Sequence, residues 1–114
     1  GSGTEKAHAS FKASLDHSSN AGFLRGDSFL AIIIVSDEDD QSSQTPSYYK
    51  SYLETKTGTS GATARFNVNA ITGLDTLCAA VPYAGTKYRQ LVAMTGGVEG
   101  DICNPNFNAP LNAI

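Results

Sequence analysis

The sequence lacks most of the features that would mark it for nucleic acid or for a membrane. No basic run occurs, and eight Lys and Arg stand against eleven Asp and Glu, a formal charge of −3. A mildly acidic chain without clustered basic residues has no electrostatic footprint for a phosphate backbone. No apolar stretch approaches the roughly 18 residues that span a bilayer. The longest, Phe29 to Val35, has seven. Charged residues are only 17% of the chain, below the roughly 25% of an average globular protein. Gly1-Ser2-Gly3 does not read as a signal peptide, since it has neither basic residues nor an apolar segment, and it has the composition of a cloning scar. There is no glycine-rich phosphate loop, no Gly-x-Ser-x-Gly elbow and no Asn-x-Ser/Thr sequon. What is present is enough for a fold: 40% hydrophobic residues, with five Tyr and five Phe, argue against disorder. At 114 residues the chain is one domain's worth or less.

Cysteine is scarce too. Cys78 and Cys103 allow one pairing. Two reduced core thiols are one reading, and a single disulfide in an exported protein is the other. Their spacing fits no zinc motif, and His8 and His17 lie far away in sequence.

The periodicity predicts a helix from Thr4 to about Leu15, with Ala7, Phe11 and Leu15 on one face and Ser2 and Glu5 spaced as a capping box. Phe29 to Val35 (FLAIIIV) is short, β-branched and apolar throughout, which predicts a strand covered on both faces. Thr45-Pro46 opens a second helix with an aromatic face of Tyr48, Tyr49 and Tyr52 beside Leu53. Arg65 to Ile71 alternates and reads as a strand with Phe66, Val68 and Ala70 on one side. Leu74 to Tyr83 reads either as a short helix or as an ordered loop. Thr86 to Met94 reads as a helix with Tyr88, Leu91 and Val92 inward, stopped by Thr95-Gly96-Gly97. Val98 to Cys103 reads as a short strand, and Asn104-Pro105 as the start of a last helix. Strands alternating with helices predict an α/β fold, a three-layer α-β-α arrangement on a mostly parallel sheet.

The most informative feature is Ser36-Asp37-Glu38-Asp39-Asp40, four acids directly after the apolar strand. In open α/β sheets the ligand crevice lies outside the carboxyl ends of the strands. Carboxylates clustered there suit a hard divalent cation such as Mg2+ or Ca2+.

This strand and acidic turn resemble the fourth-strand motif of von Willebrand factor type A (VWA) domains, most closely the bacterial exported branch. Tyr88 to Cys103 (YRQLVAMTGGVEGDIC) is similar to the family's late helix, Thr-Gly-Gly turn and final strand. Gly3-Thr4-Glu5 resembles a second element of the metal-ion-dependent adhesion site. The resemblance implies Asp37 and Thr4 at the metal or its waters, Asp39 and Asp40 further out, and Glu38 facing a partner. It implies a metal-dependent protein-binding module, not an enzyme, located at the cell surface, in the extracellular space or in the periplasm of a bacterium. The cysteines fit that branch, and a bridge over a loop of this length adds about 3 kcal/mol in the chain-entropy view.

One family motif has no counterpart. The aspartate with alternate serines that follows the family's first strand is missing. Asp16-His17-Ser18-Ser19 is superficially similar but follows a helix, not a strand. The chain therefore resembles the C-terminal part of the domain, residues 1–114 forming a single partial unit. The strand Phe29 to Val35 would then have an open edge, leaving Ile32, Ile33 and Ile34 short of neighbours, and a long apolar edge is an aggregation hazard. Three solutions exist: a separate N-terminal half, an edge-to-edge dimer, or a rearranged smaller fold. A split-domain half that exists to pair with its complement is the alternative function. A magnesium-dependent phosphoryl-transfer enzyme is a third, weakened because Lys50, Lys56 and Lys87 are not expected at strand ends and because His8 and His17 read as surface residues.

Overall fold

The computed structural model describes residues 5–24, 28–104 and 112–114. Six main elements alternate. They are α1 (Ala7–Asp16), β1 (Leu30–Val35), α2 (Pro46–Thr57), β2 (Phe66–Thr72), α3 (Thr86–Thr95) and β3 (Glu99–Asp101). The strands form one parallel sheet in the order β1-β2-β3. Each parallel pair is joined through a helix, as parallel strands require. The fold is a small α/β fold.

The register explains the core. Leu30, Ile32 and Ile34 stand opposite Phe66, Val68 and Ala70, so all six side chains point to one face. That face packs against Tyr49 and Leu53 of α2 and Tyr88, Leu91 and Val92 of α3, with Ala7, Phe11 and Leu15 of α1 at its margin. All three helices thus join a single cluster on one side of the sheet. A second helical layer, which the alternation predicts, is not found among the described residues.

β1 departs from expectation for this reason. Its outward side, Ala31, Ile33 and Val35, has no helix over it among the described residues, and Ile33 and Val35 are 49% and 65% exposed. Ile34 is buried and Ile32 packs against the core, so of the three isoleucines only Ile33 lacks cover. Among the described residues no strand pairs with the far edge of β1, and the open edge is as expected. Phe29 falls just outside the strand and is exposed.

The helix predictions hold with shifted ends. Thr45 caps α2 by accepting the Tyr48 N–H, and Pro46 occupies the first turn. Tyr49 and Leu53 are buried, while Tyr48 turns outward. α1 begins at Ala7 rather than Thr4, and the capping box of Ser2 and Glu5 involves a residue outside the described set, as do Thr4 and most of the last predicted helix.

Each residue of the Thr-Gly-Gly turn has a separate task. The Thr95 hydroxyl donates to the Leu91 carbonyl and accepts the Val68 N–H at 2.9 Å. Gly96 takes the left-handed conformation that ends α3, with φ +68°. Gly97 lies so close to β2 that a Cβ there would run into the Val68 carbonyl. Between β2 and α3 the chain is an ordered loop with an isolated bridge between Cys78 and Val81, and Cys78 is disulfide-bonded to Cys103 just past β3.

Candidate functional site at the acidic turn

Ser36 directly follows β1, and its side chain folds over the turn. Its hydroxyl donates to the Glu38 carbonyl and accepts the Glu38 N–H. The four acids that follow are thereby sent in different directions.

Asp40 turns inward and is buried. Its Oδ1 accepts the His8 N–H at 3.3 Å and the Ser42 hydroxyl at 2.8 Å, while its Oδ2 accepts the Ser42 N–H. Ser42 Oγ in turn accepts the Ala9 N–H at 3.0 Å, and the Tyr88 hydroxyl oxygen accepts the Ala7 N–H at 3.4 Å. α1 has no side-chain cap of its own. Its first three N–H groups, orphaned by helix geometry, are met by acceptors from the acidic turn and α3.

Asp39 does the same for the other flank. Its Oδ1 accepts the Lys87 N–H at 2.8 Å, in the first turn of α3, and the Asp40 N–H at 2.9 Å. α3 also lacks a side-chain cap of its own. Two adjacent carboxylates therefore cap two helices from outside, where the positive ends of the helix dipoles favour them.

Asp37 remains exposed. Glu38 is partly buried, and its Oε2 is sealed from solvent without a hydrogen-bond partner. Glu38 and Asp39 line an open groove of about 410 Å³ with Gln41, Tyr83, Ala84 and Thr86. The wall formed by Tyr83 and Ala84 belongs to the loop tied down by the disulfide. Of the residues implied as metal ligands, Asp37 stands at this groove's end of β1. Asp39 and Asp40 are engaged as helix caps, and Thr4 lies outside the described residues. Among the described residues no group of three or more His, Cys, Asp or Glu side chains is placed to hold a metal ion. Of the four acids of the turn, Asp37 and Glu38 are the two not engaged as helix caps.

One expectation is corrected. His8 is not a surface residue, because it is fully buried between the acidic turn and the rings of Phe11, Tyr49 and Tyr88, with centroids 5.8, 5.1 and 5.0 Å away. Its Nδ1 lies 3.0 Å from Asp40 Oδ2, but neither ring nitrogen makes an aligned hydrogen bond. The contact is electrostatic. Burial holds the imidazole below its usual range, and the Asp40 charge opposes that shift. The apolar spacing of Ala7, Phe11 and Leu15 hid this, since His8 sits on the flank of that stripe. The Lys87 N–H reaches Asp39 from the first turn of α3. His17 is exposed, as expected.

Asn69 was missed altogether. It is fully buried in β2, its Nδ2 donates to the Ile32 carbonyl and its Oδ1 accepts the Val98 N–H. It thereby clips β2 to the chain on both sides. An asparagine within an alternating strand gave no signal of this.

No family model, curated protein or solved structure matches the chain. No helix among the described residues is long and apolar enough to cross a membrane. The disulfide is of the kind that persists in oxidising compartments.

Proposed function

We propose that this chain belongs to a protein-binding module of the VWA type, exported by a bacterium, which engages a partner protein through Mg2+ or Ca2+ at the carboxyl end of β1. The observation that carries the reading is the Glu38 carboxylate, with one oxygen closed off from water and unpaired beside the exposed Asp37. A buried carboxylate oxygen without a partner is costly, and a hard cation satisfies it with the oxygen chemistry it prefers. Asp37 and Glu38 would hold the ion. Bound there, it offers positive charge and open coordination positions to a partner's carboxylate. Asp39 and Asp40 keep the turn rigid by capping α1 and α3. Two protein ligands make the site weak, in the range of about 1 mM found for extracellular calcium modules at the loose end. Native mass spectrometry under non-reducing conditions, with and without Mg2+ or Ca2+, tests this. One added cation on the wild-type chain and none on Glu38→Gln supports it, and equal metal uptake by both sinks it.

A second reading rests on β1. Its free edge and its uncovered Ala31, Ile33 and Val35 favour a half-domain that pairs with a complementary strand, from another chain or a second copy. It predicts association that ignores metal. In the same spectra, a dimer unaffected by chelator would favour it over the first reading.

A further inference from the structure

The free edge of β1 presents a defined set of backbone groups. On the β2 side, the Leu30 N–H donates to the Arg65 carbonyl at 2.9 Å and the Ser36 N–H to the Ile71 carbonyl at 3.1 Å. In a parallel ladder a paired residue turns both its N–H and its C=O to the same neighbour. Leu30, Ile32 and Ile34 therefore face β2, and Ala31, Ile33 and Val35 turn their backbone groups to the free edge. The strand carries none of the devices that keep edges apart, with no lysine, no proline and no charge from Leu30 to Val35. Its two ends are unlike. Asp37 is exposed just past the carboxyl end. Arg65 flanks the amino end and makes no ion pair among the described residues.

We propose that the occupant of this edge is a second copy of the chain, paired antiparallel through β1 about a two-fold axis at Ile33. This rests on the reading of β1 as a pairing strand and names its partner. In that register Ile33 faces Ile33 of the copy and Ala31 faces Val35, so the residues with edge-directed backbone groups meet one another and each pair exchanges both N–H···O bonds. One patch serves both chains, which is the self-complementarity a closed two-fold dimer requires. The sheet becomes continuous in the order β3-β2-β1-β1-β2-β3. On its outward face the exposed Ile33 and Val35 gain apolar cross-strand neighbours, and on the core face Ile32 stands opposite Ile34. Charge selects the direction. An antiparallel pair brings the Asp37 end of one copy to the Arg65 end of the other, whereas a parallel pair would set the two acidic turns side by side. One strand edge is a small contact beside a standard interface of roughly 1,600 Å², so the dimer is a weak one.

Sedimentation velocity of the oxidised full chain in the presence of chelator, over a series from about 1 µM to 1 mM, tests the pairing. The expected result is a reversible monomer–dimer equilibrium. Ile33→Lys, at an exposed site, should weaken the dimer by about tenfold or more, because the two lysines would face each other. Asp37→Arg and Arg65→Asp should each weaken it by about threefold, and the two together should restore it. If Ile33→Lys does not fold, the charge exchange decides alone. A chain that stays monomeric throughout overturns the second copy as occupant and leaves the edge to a different chain, so the half-domain reading survives that result. A dimer that neither Ile33→Lys nor the single charge reversals weaken overturns both, since β1 is then not the contact. A dimer split by Ile33→Lys but not rescued in the double exchange overturns the antiparallel register. Assembly that grows past the dimer contradicts a closed two-fold pair.

Discussion

Asp40 caps the start of α1 across 32 residues of chain, its Oδ1 accepting the His8 N–H at 3.3 Å. With Asp39 doing the same for α3 at Lys87, the acidic turn is a joint before it is a binding surface. Removing Asp40 therefore strips the cap from α1 and leaves buried donors at His8 and Ser42. Asp40→Ala should cost about 2–3 kcal/mol, and Asp39→Ala, which loses one cap, about 1 kcal/mol. Urea unfolding of the two variants checks the order. Two neutral substitutions would mean that the joint does not hold the helices.

Gly96 and Gly97 are neighbours with different reasons to be glycine. At Gly96 the conformation is left-handed and the surroundings are open, so Gly96→Ala should cost about 1 kcal/mol. At Gly97 a methyl would meet the backbone of Val68, so Gly97→Ala should cost more, about 2–3 kcal/mol, through displacement of α3 from β2. Thermal melts of the pair would show the larger loss at Gly97. A reversed order would put the turn's importance in its φ angle alone.

These residues show where the sequence was readable. Thr95-Gly96-Gly97 ended a helix on local grounds, and Thr45-Pro46 began one, because caps and glycine stops are written within a few residues. The apolar side of β2 was equally legible from alternation. The open edge of β1 followed from a motif with no counterpart in the chain. The burial of His8 was not legible, nor was the capping of α1 by Asp40, because both depend on a turn more than thirty residues away coming to rest on the helix start. Four consecutive acids looked alike in the sequence. Only the path of the turn divides them into two caps, one partly buried carboxylate and one exposed one. The uncovered face of β1 was likewise hidden, since an all-apolar strand reads the same whether one side is covered or both are.

Asp16 gives the fold an acid limb at low pH. The Lys12 ammonium, and then the Tyr52 hydroxyl, hold its carboxyl down to about 2 from 3.8. Its folded value is depressed, so the stability it adds is present above pH 3.8 and is lost as pH falls through about 2. The effect should be small at so exposed a site. Carboxyl NMR titration should find Asp16 below the usual aspartate range in wild type and near it in Lys12→Met with Tyr52→Phe. A normal value in wild type would remove the cluster from the account of α1.

Reduction of Cys78–Cys103 should lower stability by about 3 kcal/mol and free the loop that carries Tyr83 and Ala84. The double variant Cys78→Ser with Cys103→Ser should match the reduced protein in its melting temperature. Unchanged melting under a dithiol reductant would mean that the bridge does not constrain the unfolded chain.

The division of labour within the acidic turn is tested most directly by titrating Ca2+ and Mg2+ into isotopically labelled protein while following backbone amides by NMR. The account predicts saturable shifts centred on Asp37 and Glu38 at about millimolar cation, absent in the double variant Asp37→Asn with Glu38→Gln, with α1 and α3 still in place. Shifts centred on Asp39 and Asp40 with loss of the His8 and Lys87 amide positions would contradict it, because the helix caps would then be the ligands.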